Sequence, residues 1–133
     1  MPIFYLDSCA ITKLVAEEAE SEDLVATLTE EPSLWMCSDL ARVEVMRSVA
    51  RNYPDLLPEA SCELRNLAML SLDSAIYDLA SRLQPTRLRS LDAIHVAAAL
   101  SLGRDLTAVV TYDKRLVEAA QLNGLTVLSP GVN

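Results

Sequence analysis

The sequence predicts an α/β fold, a mostly parallel sheet flanked by helices, built as a single domain over residues 1–133. Three observations predict it. Short runs of strand-forming residues alternate with longer segments of helical periodicity. The best run, "TAVVTY", is β-branched and bounded by polar residues. No repeat, linker or low-complexity tract interrupts the alternation. Strands joined through helices pair in parallel, by right-handed crossovers.

Each element has a local reason. "PIFYL" is an apolar strand ending at Asp7, and "SCAITKLVAEE" follows with Ile11, Leu14 and Val15 on one helical face. "ESEDLVATLTEE" predicts an acidic amphipathic helix, and "SLWMCS" a buried strand. "DLARVEVMRSVARN" is a helix with Ser38 or Asp39 available as its cap, broken by "YPDLLPE". "EASCELRNLAML" forms the returning arm of a helical hairpin, "LSL" a very short strand, and "SAIYDLASRL" a further helix. "QPTRLRS" is a loop leading into "SLDAIHVAAAL", a helix apolar on every side. After "TAVVTY" come the helix "DKRLVEAAQLNG", with a glycine stop, and the strand "LTVLS".

Composition narrows the function. With 51% hydrophobic residues the chain has a real core, and a net charge of −8 argues against nonspecific DNA binding through a basic surface. Acids gathered in one pocket would lower the net charge, and divalent cations bound there would reverse its sign locally. The N-terminus lacks the features of a signal peptide, and no run approaches the roughly 20 apolar residues that span a bilayer, so a cytoplasmic protein without membrane contact is expected. Cys9, Cys37 and Cys62 are widely spaced and odd in number; they predict small apolar packing residues, not disulfides or a thiolate metal site.

Ligands of open parallel sheets bind beyond the carboxyl ends of the strands. Asp7 and Asp113 each follow a predicted strand at that edge, Asp92 lies in the first turn of the apolar helix, and Glu44 lies inside the "DLARVEVMRSV" helix. Each acid alone has an ordinary explanation. Asp7 and Asp113 can cap helices, Asp92 can favour the helix dipole behind a Ser90 cap, and Glu44 can pair with Arg47 or Ser48. These explanations do not account for all four together. Clustered carboxylates repel, and hard divalent cations among their oxygens relieve that repulsion. With no second histidine and no HExxH pattern, the donor types suit Mg²⁺ or Mn²⁺ acting on a phosphate ester.

The segments "YLDSCAITKL", "ARVEVMRS", "RLRSLDAIHVAAAL" and "VVTYDKRLVEAA", in this order and across nearly the whole chain, resemble PIN-domain ribonucleases, in particular VapC-type toxins of toxin–antitoxin pairs. The resemblance implies a PIN-like three-layer fold with Asp7, Glu44, Asp92 and Asp113 as a catalytic, metal-holding quartet. Ser8 and Thr111 match positions where a hydroxyl supports the site, and Asp39 stands where a small hydroxyl residue is common, with a capping role expected. It further implies RNA as substrate, a VapB-like antitoxin partner and a homodimer. The antitoxin would dock at the hairpin around "NYPDLLPE" and the "LVATL" helix.

In the expected mechanism, one ion held mainly by Asp7, Asp92 and Asp113 activates water, and a second ion or a shell completed by the substrate, near Glu44, stabilises the leaving oxygen. His95 is expected to be a packed, hydrogen-bonded residue that the chemistry does not require. Lys13, Arg42, Arg87, Arg89, Lys114 and Arg115 lie near the acids in sequence, with Arg89 and Lys114 preferred for RNA contact. Competing readings are a non-toxin PIN-like nuclease, another metal-dependent phosphohydrolase and a catalytically inactive interaction module. A dehalogenase-like phosphatase needs DxD, whereas Asp7 is followed by Ser8 and Cys9; a receiver-like domain fits Asp92 and Asp113 poorly.

Overall fold

A computed structural model describes residues 1–132. Five parallel strands, β1 (Ile3–Leu6), β2 (Leu34–Ser38), β3 (Ala68–Leu70), β4 (Ala108–Val110) and β5 (Val127–Leu128), form one sheet in the order β3-β2-β1-β4-β5. Helices α1 (Ser8–Val15), α2 (Ser21–Leu28), α3 (Asp39–Asn52), α4 (Leu57–Asn66), α5 (Ser74–Arg82), α6 (Ser90–Ser101) and α7 (Lys114–Leu122) fill the connections. Successive strands step outward from β1 to β3, and the chain then returns to place β4 on the other side of β1. The order therefore reverses between β1 and β4, and such a reversal opens a crevice beyond the strand ends.

Strand alternation builds the layers. Phe4 and Leu6 of β1, with Ala108 and Val110 of β4, pack among Ile11, Leu24, Leu28, Val45, Val49 and Leu64 from α1 to α4. Tyr5 and Val109 point the other way, into Ile76 and the alanines of α5 and α6. Val96 joins Leu116, Ala119 and Ala120 to attach α7. The sheet is thus sandwiched between two helical layers, as the sequence predicts.

Three expectations are corrected. The predicted helix over 59–70 ends at Asn66, and the third strand is Ala68–Leu70, not "LSL". Leu67 turns extended (φ −90°, ψ 147°), and Ala68 to Leu70 then pair in register with Met36 to Ser38, which satisfies backbone groups that a continued helix would withhold from β2. The break at "YPDLLPE" is narrower than expected, because Pro58 falls in the first turn of α4, where its missing N–H costs nothing. Cys37 is buried and Cys9 half-buried, but Cys62 is exposed, so it is no packing residue. The glycine stop of α7 holds: Gly124 has φ +80°, and Leu125 donates back to Ala120. Among the described residues no helix is long and apolar enough to cross a membrane.

The small residues of α6 explain its sequence. Ala97, Ala98 and Ala99 are fully buried in the cluster that joins α6 to the sheet and α5, where small side chains pack closely. Ala98→Leu is expected to lower stability by about 1–3 kcal/mol in denaturant unfolding through overpacking. Leu91→Ala, at a position half-exposed on the same helix, is expected to change stability by less than about 0.5 kcal/mol.

Candidate active site

The two strands that flank the reversal end in the two most constrained acids. Asp7 follows β1 and caps α1, its Oδ1 accepting the Ala10 N–H at 3.0 Å. Thr111 follows β4, is fully buried, and donates its hydroxyl to Asp7 Oδ2. The same Thr111 oxygen accepts the Asp113 N–H at 3.1 Å. Asp113 in turn caps α7, accepting the Arg115 N–H at 2.9 Å. The capping reading of both aspartates is correct, and the cap is the means by which each carboxylate is held at the sheet edge.

Asp92 lies in the first turn of α6, but Arg89, not Ser90, occupies the cap position, and no side chain closes that helix end. The Asp92 carboxyl is pushed up, first by burial and then by the facing Asp113, against the pull of His95, Arg89 and Arg115. Like charge is thus concentrated between Asp92 and Asp113. Asp7 is also pushed up, chiefly by burial, with the bonds from Cys9, Thr111 and Ala10 acting in the opposite direction.

Glu44 pairs with neither Arg47 nor Ser48. Its Oε1 is 2.8 Å from Nε2 of His95 on α6. The other imidazole nitrogen, Nδ1, is 2.8 Å from the Tyr5 hydroxyl. His95 is only 4% exposed. Burial alone would depress its pKa, but Glu44, Asp7 and Asp92 together raise it. The packed, hydrogen-bonded histidine expected from the sequence is found, with one addition: three of the four acids act on it. The site lies where the two helical layers meet over the carboxyl edge of the sheet, with Glu44 reaching in from one layer and Asp92 from the other.

Other residues fall differently from expectation. Among the described residues Ser8 makes no side-chain hydrogen bond to an acid; the neighbour that supports Asp7 is Cys9, whose thiol lies 3.0 and 3.2 Å from the two carboxylate oxygens and is pushed up to about 12, first by its own burial. Asp39 neither caps α3 nor joins the acids; its carboxylate accepts the Leu72 N–H at 3.3 Å, tying α3 to the turn after β3. Lys13 is committed to Glu18 and Glu20 at 3.2 and 2.9 Å, so it is no free phosphate contact. Arg87 forms an exposed pair with Glu118, of the kind worth under about 1 kcal/mol. Arg89, Lys114 and Arg115 are exposed, and a hollow of about 300 Å³ is lined by Arg87, Arg89, Asp92 and Arg115. A larger hollow, about 700 Å³ between α3 and α4, touches none of the four acids. Among the described residues no three His, Cys, Asp or Glu side chains close on a single point.

Cys9 and Tyr5 carry no signal in the sequence. Cys9 reads as a small apolar residue, and Tyr5 as one more apolar residue of a strand; only the three-dimensional pairing assigns them.

A family model described as PIN domain matches residues 4–122. Two relatives from Mycobacterium tuberculosis are similar over their whole length: ribonuclease VapC47, 41% identical over 97% of this chain and 98% of its own, and ribonuclease VapC46, 42% identical over 98% and 99%. The fold resembles solved structures at lower identity. The Mycobacterium tuberculosis VapC20 structure, described as a sarcin-ricin loop cleaving toxin, gives a TM-score of 0.73 at 13% identity, covering 96% of this chain and 99% of that one. A toxin–antitoxin complex from Klebsiella pneumoniae gives 0.72 at 20% identity, covering 98% of each. A sheet reversal bearing Asp7 and Asp113, a family model that matches most of the chain, and relatives above 40% identity together place the chain in the PIN-domain family, among its VapC-type members.

Proposed function

We propose that this protein is a divalent-metal-dependent endoribonuclease that hydrolyses RNA phosphodiester bonds as the toxin of a VapBC-type pair. The observation that carries the reading is the bridge at the strand reversal: Thr111 binds Asp7 and the Asp113 backbone at once, with Asp92 facing Asp113 and Glu44 held beside them through His95. The names of the relatives, ribonucleases VapC47 and VapC46, support the same chemistry. The Klebsiella toxin–antitoxin complex supports a VapB-like antitoxin as partner. A homodimer and a cytoplasmic setting complete the proposal.

The residues fit Mg²⁺ or Mn²⁺. The donors are carboxylate oxygens, the like charges on Asp92 and Asp113 face each other without a dedicated cation between them, and such ions retain waters, so they need few protein ligands. Asp7, Asp92 and Asp113, with Glu44, are the groups that would hold them. When bound, such an ion supplies an acidified water and neutralises charge at the scissile phosphate. The chain's own part is to fix the acids and receive the substrate. Asp7 cannot turn away, because backbone, thiol and hydroxyl donors all hold it. Arg89 and Lys114, with Arg115, present exposed positive charge beside the acids, where flanking phosphates of an RNA would lie.

Asp92→Asn is expected to reduce Mn²⁺-dependent cleavage of RNA to background while circular dichroism stays native; full activity in this variant overturns the assignment. Chelation by EDTA is expected to abolish wild-type cleavage, and added Mn²⁺ or Mg²⁺ to restore it. Replacing Arg89 or Lys114 by Ala is expected to weaken RNA binding and flatten its log–log salt dependence by about 0.7 per lost contact on single strands, read by anisotropy titrations at several salt concentrations.

Asp7→Asn is expected to separate stability from activity. The folded pKa of Asp7 lies above its unfolded value of 3.8, so stability is fully present below about pH 3.8 and is lost as pH rises through the folded pKa. Asparagine keeps the cap without the charge. Thermal melts in EDTA should show equal melting temperatures below that pH, and an advantage for Asp7→Asn that grows above it, about 3–5 °C for each kcal/mol recovered. The same variant should be inactive.

A further inference from the structure

Among the buried titratable groups that the proposed reaction leaves without a task is His95. Its two nitrogens are both engaged: Nε2 at 2.8 Å from Glu44 Oε1, and Nδ1 at 2.8 Å from the Tyr5 hydroxyl. Tyr5 is fully buried in the central strand β1, and its ring meets the imidazole edge-on at 6.0 Å between centroids and 69° between planes. A line of three side chains therefore runs from the middle of the sheet, through α6, to α3 in the opposite layer.

Glu44 differs from its three companions in how it is placed. Asp7 and Asp113 are helix caps held by backbone N–H groups, and Asp92 sits in a first turn on a short side chain. Glu44 lies inside α3, on a side chain with three rotatable bonds and, among the described residues, no backbone partner at its carboxylate. Left alone, it would sample several rotamers. An ionised carboxylate only accepts hydrogen bonds, so the imidazole donates from Nε2. That bond fixes Oε1 and leaves Oε2 free.

We propose that His95, braced by Tyr5, is the positioning residue for Glu44, holding one carboxylate oxygen so that the other is presented to a bound divalent cation. The proposal rests on the reading of Glu44 as part of a metal-dependent site. Partners that orient a ligating side chain from behind typically matter about 10–100-fold in metal affinity or activity.

The test is a set of variants examined by Mn²⁺ calorimetry, RNA cleavage kinetics and thermal melting. His95→Gln retains an N–H donor near the place of Nε2; His95→Leu fills similar space without one. His95→Leu is expected to lose about 10–100-fold in Mn²⁺ affinity or kcat, with KM for RNA changed by less than about twofold, and His95→Gln to recover most of the loss. The double variant His95→Leu/Glu44→Ala should be no worse than Glu44→Ala alone, because His95 acts through Glu44. Tyr5→Phe, which removes only the brace, should give a smaller loss of the same kind and serves if His95→Leu fails to fold. Losses that multiply in the double variant, a folded His95→Gln as impaired as His95→Leu, or an unchanged Tyr5→Phe would each overturn the proposal. If the wild type binds Mn²⁺ without cleaving RNA, the ribonuclease reading fails, and the calorimetric cycle still decides the role of His95.

Discussion

A single hydroxyl, that of Thr111, joins the two strand ends on which the acidic site is built. It donates to Asp7 at the end of β1 and accepts from the Asp113 backbone beyond β4. β1 and β4 are neighbours only because the chain, after stepping outward through β2 and β3, returns to the other side of β1. Topology thus brings two sequence-distant aspartates to one crevice, and Thr111 sets their separation. Asp7 is almost completely buried, and an isolated carboxylate in that position would cost several kcal/mol. Its backbone, thiol and hydroxyl donors offset part of that cost without neutralising the charge, which leaves a directed acceptor at the sheet edge.

The remaining electrostatics divides the molecule. The chain is acidic overall, at −8, yet four basic residues, Arg87, Arg89, Lys114 and Arg115, enter through the loop before α6 and the first turn of α7. Those two segments adjoin Asp92 and Asp113. An anionic polymer would be repelled by most of the surface and attracted locally beside the acids, which favours orientation at the site over nonspecific adhesion. The same arrangement leaves these acids poorly placed as carboxylates: burial raises both Asp7 and Asp92, the facing Asp113 raises Asp92 further, and no lysine or arginine forms an ion pair with either among the described residues.

How much of this was legible depends on the range of the signal. Asp7 and Asp113 could be read because each directly follows a strand, and their capping chemistry is local. The three layers could be read from alternation, as Phe4 and Leu6 turn one way and Tyr5 the other. The third strand was misplaced because "LRNLAML" satisfies helical spacing as well as a short strand does, and only the free edge of β2 decides between them. Ser90 looked like a cap by residue type, but the backbone turns at Arg89. The support that Cys9 gives Asp7, and the refusal of Ser8 to do so, depend on side-chain directions at the start of α1 that composition does not encode. The Glu44–His95 pair spans 51 residues, and no local pattern announces it.

The apolar character of α6 follows from where its two polar side chains must stand. Ala97, Ala98 and Ala99 let the helix lie close on the sheet, and that proximity brings His95 within reach of a tyrosine hydroxyl rooted in β1. A helix with a solvent face would sit further out and could roll; this one is packed against the sheet, α5 and α7, so its register is fixed. Fixing the register fixes Asp92 and His95 together, one turn apart on the same face. Asp92 is thereby held toward Asp113 and His95 toward Glu44, so a single rigid helix places acids from both layers of the sandwich. The greasy residues and the charged ones answer the same requirement, since carboxylates that repel one another stay in place only on a scaffold that cannot yield.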